Sequence, residues 1–244
     1  MSNSVILKNL DLGYQNSSPM LSQVSTEFRE GCIYGLLGLN GTGKTTLFKS
    51  LSGLIRPLSG RIEAFGMQPF DKTKRFLENL MFVPIDSILP RMTGNTFVRT
   101  YSSFWPRFSM EEFIEMTQTL TVNLDKKLSR MSYGEQKKFM LSFALAANTR
   151  LLLLDEPLAG LDIVSQRNLL MTIAQNQKPH RILILSSNQA EALDNILTDI
   201  VIIYNGRILL NSSIIEIGYK LAFYNQGSHP NSIFDDGLTS ICLN

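Results

Sequence analysis

The chain has little cysteine, histidine or tryptophan: among 244 residues there are two Cys, two His and one Trp. Cys32 and Cys242 lie at opposite ends of the sequence, so neither a disulfide framework nor a thiolate metal site has the spacing it requires. What remains is one buried small hydrophobe and one tail thiol, consistent with a reducing, cytosolic compartment. No uncharged apolar run approaches the ~18 residues of a membrane helix. The opening MSNSVILKNLDLGY lacks the basic stretch and apolar core of a secretory signal. The expectation is therefore a protein soluble by itself, whose membrane connection, if any, runs through a partner. An excess of one charge is also missing. The 23 basic and 21 acidic residues leave a formal +2, without the basic surplus that a nucleic-acid partner demands.

What is present is ordinary globular material, 44% hydrophobic and 18% charged, with no repeat and no obvious linker before the tail. Short runs rich in Ile, Val and Leu recur at Val5–Leu10, Cys32–Leu37, Leu80–Val83, Leu151–Leu154, Ile182–Leu185 and Ile200–Tyr204. Helical periodicity falls between them at Lys44–Leu54, Met110–Leu120, Glu135–Ala147 and Ile163–Ala174. Apolar strands alternating with helices predict a mainly parallel sheet covered on both faces, an α/β fold. Strands at Leu21–Phe28 and Gly60–Phe65 read as an antiparallel flank, and residues 86–138 as a helical subdomain hung on the core. In RILILSSNQAEAL (Arg181–Leu193) a strand gives way to a polar break at Ser186-Ser187-Asn188, with a helix opening at Gln189. After Gly206 a short strand and a helix follow. The main domain spans 1–217, and 218–244, polar and broken by Gly and Pro, reads as a loosely ordered tail.

The strongest signal is GLNGTGKTT, which satisfies G-x-x-x-x-G-K-[ST] with Gly38, Gly43, Lys44 and Thr45. Asn40, Gly41 and Thr46 complete the loop. Its glycines let successive backbone N–H groups turn inward as an anion nest, and a helix starting at Lys44 adds its positive end. Lys44 can reach the β- and γ-phosphates of a nucleotide, while the Thr45 hydroxyl can ligate Mg²⁺. A second element agrees: LLLLDEP is a buried strand ending in two carboxylates. Asp155 would hold the Mg²⁺ shell, and Glu156 would orient and polarise an attacking water. The expected fold is thus a P-loop NTPase and the expected chemistry hydrolysis of a nucleoside triphosphate, with Mg²⁺ as cofactor; that the substrate is ATP is implied by a family resemblance.

With MSYGE (Met131–Glu135) between them, these elements resemble the nucleotide-binding subunit of ABC transporters over about Leu7 to Ile217. The resemblance implies that Ser132, Gly134 and Glu135 form a signature presented to the γ-phosphate of the opposite protomer in a head-to-tail dimer. It implies that Asp162, in AGLD, lies in the loop crossing that interface, and that Tyr14 stacks on adenine. The segments NTFVRTYSSFWPRFSMEEF and QKKFMLSFALA are similar to bacterial exporters of the bacitracin-resistance and acetoin-utilisation type. There, Trp105 and its neighbours either pack the helical insert or shape the surface that receives a membrane subunit.

Two positions depart from the family pattern. Where members carry Gln or an acid after the strand ending at Val83, this chain has Ile85, which has no ligating atom; Asp86 follows one residue later. Where members carry His at the tip of the strand matching Ile182–Leu185, it has Asn188, which can donate a hydrogen bond but cannot exchange a proton near neutral pH. His180 and His229 are not placed to substitute.

The resemblance implies an ATP-binding subunit of a membrane exporter, at the inner face of the membrane. It would work with a separate transmembrane permease subunit, as part of a homo- or heterodimer. Turnover should be slowed, or lost in favour of a nucleotide switch or a degenerate half of a heterodimer. Family members that act on nucleic acid or ribosomes carry paired domains or a long coiled coil, which this sequence lacks, so no nucleic-acid partner is expected.

Overall fold

The computed structural model describes residues 3–14, 18–188, 193, 195–225, 232–235 and 239–243. Three strands, β1 (Ser4–Leu12), β2 (Leu21–Arg29) and, further along the chain, β4 (Ser59–Ala64), form an antiparallel sheet in the order β2-β1-β4. This is the expected flank. β3 (Ile33–Leu37) belongs to the central sheet and runs into the glycine loop and α1 (Lys44–Leu51). A four-residue helix, α2 (Lys74–Leu77), precedes β5 (Leu80–Val83). Then come the helices α3 (Gly94–Tyr101), α4 (Met110–Thr119) and α5 (Tyr133–Ala146). The remaining core is β6 (Leu151–Leu154), α6 (Ile163–Gln175), β7 (Ile182–Ser187), β8 (Asp199–Tyr204), β9 (Arg207–Ser213) and α7 (Ile214–Lys220). The central order is β5-β6-β7-β3-β8-β9, parallel throughout except for the antiparallel edge strand β9.

The uniformly apolar runs have a direct cause. In β6, Leu151 and Leu153 face one core while Leu152 and Leu154 face another; in β7, Ile182 and Ile184 part from Leu183 and Leu185 in the same way. Because side chains alternate across a strand, a sheet covered on both sides needs an apolar residue at every position. One core lies under the β2-β1-β4 sheet and α1, around Phe28, Phe48 and Leu21. The other joins the sheet to the helical part through Phe97, Phe113, Phe139 and Phe143. In that cluster Phe97 meets Phe139 and Phe143 edge-on, with ring centroids 5.3 and 5.1 Å apart. Close packing also explains Gly35, inside β3: a β-carbon there would lie 2.5 Å from Leu197 Cδ1.

Helix starts carry their own signals. Thr93, Ser109, Ser132 and Asp162 each accept a hydrogen bond from the backbone N–H three residues on, at the heads of α3, α4, α5 and α6. α5 begins at Tyr133, two residues before the periodicity suggested, because Ser132 and Glu135 make a reciprocal capping box. It also continues past 138 to Ala146, so one helix spans the insert and the core. Beyond 217, where a loosely ordered tail is expected, the described residues form strands. α7 continues to Lys220, and β10 (Leu221–Asn225), β11 (Ser232–Asp235) and β12 (Thr239–Leu243) pair antiparallel in the order β10-β12-β11. The runs LAFYN, SIFD and TSICL are rich in β-branched and aromatic residues, and that preference prevails over the polar composition around them. The helix expected to open at Gln189, and His229, lie outside the described residues.

At the amino ends of β6 and β7 a charged side chain is wholly buried. Arg181 donates to the carbonyls of Leu145 at 2.9 Å, Asn176 at 3.0 Å and Thr149 at 3.3 Å, and to Asn148 Oδ1 at 3.1 Å. Burial pushes its pKa down to about 10, with Glu112 opposing that and Arg107 adding to it, so it stays protonated at neutral pH. It ties together the end of α5, the start of β6, the end of α6 and the start of β7. Arg181→Met, which fills the space but orphans these carbonyls, should lower stability by roughly 2–4 kcal/mol in urea or thermal unfolding.

Candidate nucleotide site

Parallel register brings the carboxyl ends of β3, β6 and β7 to one edge of the sheet, the place where open α/β sheets bind ligands. Leu36 is level with Ser186 and Leu37 with Ser187; Leu154 is level with Leu185. The residues just past these ends therefore meet. The loop from Gly38 to Thr46 leaves β3, Asp155 and Glu156 leave β6, and Asn188 leaves β7. Gly41 and Gly43 have φ of +80° and +102°, which L side chains rarely adopt, and a β-carbon on Gly43 would lie 2.9 Å from Leu21 Cγ.

Asp155 is the buried centre of this edge, 2% exposed. Thr45 Oγ1 donates to its Oδ2 at 2.7 Å, and Ser186 Oγ donates to its Oδ1 at 2.6 Å. The same Ser186 oxygen accepts the backbone N–H of Glu156 at 2.8 Å. Lys44, also buried, donates from Nζ to the carbonyls of Gly38 at 2.6 Å and Leu39 at 3.2 Å, and lies 3.6 Å from Glu156 Oε1. Burial raises the Glu156 pKa above the ordinary glutamate range. The Lys44 charge opposes that shift, the Asp155 charge reinforces it, and a hydrogen bond from the Asn188 backbone N–H opposes it.

A cleft of ≈ 290 Å³ opens over these groups, lined by Tyr14, Met20, the loop from Asn40 to Thr46, Ile85, Asp155 and Glu156. Ile85 thus stands on the wall of the cleft, as its place after β5 implies, and offers it only hydrocarbon. Asp86, one residue on, is not part of that lining; its charge acts on Tyr133 and Lys137 instead. The exposed Asn188 side chain donates to Asn40 Oδ1 at 3.3 Å, so it bridges the tip of β7 to the glycine loop.

Ser132, Gly134 and Glu135 are absent from the cleft lining; Ser132 and Glu135 cap α5, and Gly134 lies in its first turn. Glu135 accepts the Ser132 N–H at 2.6 Å and pairs with Lys126 Nζ at 2.8 Å, and the lysine contact is the main cause holding its carboxyl below the usual range. Asp162 likewise caps α6, accepting from the Ser165 N–H at 2.9 Å, beside the exposed Ile163 and Val164.

Two comparisons fix the relationship. A family model described as ABC transporter matches residues 21–159, more than half of the chain. The chain belongs to the ABC transporter family. Among its relatives is a putative ABC transporter ATP-binding protein, AlbC, from Bacillus subtilis, 31% identical over 65% of this chain and 70% of that protein. Another is the bacitracin transport ATP-binding protein BcrA of Bacillus licheniformis, 29% identical over 84% and 69% of the two chains. A solved ATP-binding subunit of an ABC transporter superposes with a TM-score of 0.77 at 24% identity, covering 87% of this chain and 91% of its own. As in that family, the chain is an ATP-binding one with a P-loop NTPase fold.

Two residues that the motif reading did not single out hold this site together: Ser186, on β7, and Lys137, on α5, whose Nζ donates to the Glu156 carbonyl at 2.7 Å. Ser186 sat in view as part of a polar break in an apolar strand. Lys137 gave no signal, because a lysine on a helix is usually solvated. Ser186→Ala removes one donor from a buried carboxylate and one acceptor from the Glu156 amide. It should cost about 1–3 kcal/mol of stability, read by chemical unfolding, while leaving the secondary structure intact by circular dichroism.

Proposed function

We propose that this chain is the ATP-hydrolysing subunit of a membrane exporter, coupled to a separately encoded transmembrane permease. The observation that carries the reading is the convergence of Thr45, Asp155, Lys44 and Glu156 on one cleft floor. The backbone nest from Gly38 to Thr46 would cradle the phosphates, with Lys44 exchanging its loop carbonyls for phosphate oxygens. Thr45 and Asp155 present a hydroxyl and a carboxylate within hydrogen-bond distance of each other, an all-oxygen donor set suited to Mg²⁺. When bound, Mg²⁺ supplies charge neutralisation at the β- and γ-phosphate oxygens. Tyr14, on the cleft wall, would stack on adenine. Glu156 is the group that takes up the proton of an attacking water, a role its raised pKa favours.

Exposed Ser132 and partly exposed Gly134 and Glu135, with the loop at Asp162, suit a head-to-tail dimer of such subunits, homotypic or mixed. Coupling would run through a groove of ≈ 930 Å³ between core and helical part. It is lined by Leu54, Leu77, Phe82, Tyr101, Phe104 and Trp105, among others. Trp105 packs the helical insert, its indole N–H donating to the Leu80 carbonyl at 2.9 Å and its ring meeting Phe143 at 5.6 Å, and it also lines the groove. The direction assigned, export, rests on the resemblance of the Asn95–Phe113 segment to bacitracin-resistance and acetoin-utilisation exporters. No helix among the described residues is long and apolar enough to cross a membrane. Placement at the inner face of the membrane follows from the same reading.

A second reading draws on Ile85 and Asn188. With hydrocarbon on one wall and no titratable side chain at the tip of β7, ATP binding alone could switch the complex, or a more complete partner could perform the chemistry. Phosphate release with Mg-ATP, measured beside Glu156→Gln and Asn188→His, separates the two. We expect slow turnover in the wild type, loss with Glu156→Gln, and a gain of up to about a hundredfold with Asn188→His. ATP binding without phosphate release in all three proteins rejects hydrolysis by the isolated chain and leaves the switch. A further expectation concerns pH. The base must be ionised and its pKa is raised in the nucleotide-free protein, so kcat/KM should fall on acidification at a midpoint above the ordinary glutamate range.

A further inference from the structure

We propose that Lys137 is a positioning residue for Glu156, and that through it the head of α5 governs the catalytic carboxylate; this rests on the hydrolytic reading above. Glu156 has φ of +45°, in the left-handed region that a residue with a long side chain occupies only when its surroundings hold it there. Both sides of the residue are held. Its N–H donates to Ser186 Oγ at 2.8 Å, and its carbonyl accepts Lys137 Nζ at 2.7 Å. The same carbonyl accepts the Ala159 N–H at 3.2 Å and so closes the turn leading to Asp162. The Ser186 contact comes from the sheet edge and is rigid with it. The Lys137 contact comes from a helix whose amino end belongs to the helical part.

The surroundings of Lys137 make it a link with one principal target. The other polar side chains at the head of α5 bond locally. Glu135 goes to Ser132 and Lys126, and Gln136 to the carbonyls of Leu128 and Met131. Lys137 is half-buried, its ammonium 5.0 Å from the centre of the Tyr133 ring, with Asp86 from the segment after β5 and Asp155 and Glu156 from the end of β6 as the charges acting on it. Tyr133 in turn packs on the turn it helps fix: a β-carbon on Gly160 would lie 2.9 Å from its ring. Across the cleft wall Ile85 offers no polar atom, so the hydrogen bond from Lys137 is the one described from α5 to the two carboxylate residues. A shift of the head of α5 therefore moves the Glu156 peptide, and with it a side chain that must meet a water molecule to within about 1 Å.

The test compares wild type with Lys137→Met, which keeps the apolar stem without the donor, and Lys137→Arg, which keeps a donor of sufficient reach. Backbone hydrogen exchange over residues 155–161 of the nucleotide-free protein reads the pin directly. It should speed up at least about tenfold in Lys137→Met and stay near wild type in Lys137→Arg. Phosphate release should fall about ten- to a hundredfold in kcat with Lys137→Met, with KM and the affinity for a fluorescent ATP analogue within about twofold, and recover with Lys137→Arg. Should Lys137→Met fail to fold, Lys137→Gln, polar but too short to reach, takes its place with the same expectations. Unchanged exchange in the Met variant overturns the pin, as does an Arg variant that behaves like Met. Faster exchange with unchanged kcat overturns the positioning role. A wild type that releases no phosphate, like Glu156→Gln, rejects the hydrolytic reading and the positioning role built on it, while exchange still decides whether the pin exists.

Discussion

The site depends on one buried carboxylate. Asp155, at the end of β6, has one oxygen bound by the hydroxyl of Thr45 and the other by the hydroxyl of Ser186, so three parallel strands are tied at their carboxyl ends through a single side chain. A carboxylate so deeply placed is tolerable only with such donors, and the donors are usable only if β3, β6 and β7 stay in register. That register is enforced by apolar residues on both faces of every strand. The packing of Leu, Ile and Phe side chains therefore sets the geometry of the polar edge, and the polar edge tolerates little slippage in return.

Glu156 stands one residue further on and is governed differently. It is partly buried, faces Lys44, and takes a left-handed backbone conformation held by a serine from the sheet and a lysine from the helical part. The two carboxylates of one dipeptide thus have distinct supports: Asp155 belongs to the rigid core, while Glu156 is shared with a neighbouring element. An arrangement of this kind leaves Asp155 fixed by the core, while the Glu156 backbone is held in part from α5. Asn188 fits the same scheme, its backbone N–H directed at Glu156 and its amide at Asn40. It ties loop to strand without adding a group that titrates near neutral pH.

The helical part is joined to the core by aromatic packing and by buried polar anchors, of which Arg181 is the deepest. The Arg181 contacts sit at the amino ends of β6 and β7, away from the cleft. The contact through Lys137 sits at the carboxyl ends. α5 is therefore fastened to Arg181 at its tail, near Leu145, and to the end of β6 through Lys137 near its head.

The sequence alone pointed to the family, the parallel core and the glycine-rich loop from Gly38 to Thr46. A glycine-rich turn between an apolar strand and a helix has few other uses, and period-two and period-3.6 patterns are local properties of the chain. It also located Ile85 and Asn188, because their places follow from counting along strands. It could not settle the order of the final strands, where β preference prevailed over a polar composition, nor the starts of helices fixed by reciprocal caps. Least of all could it yield Lys137 or the double use of Ser186. Lys137 precedes its partner by 19 residues, and Ser186 lies 31 residues beyond Asp155. No local pattern marks a side chain whose only distinction is the group that folding places beside it. The tertiary structure decided these contacts, because hydrogen bonds between distant segments exist only once the sheet has set its register and the helices have closed on it.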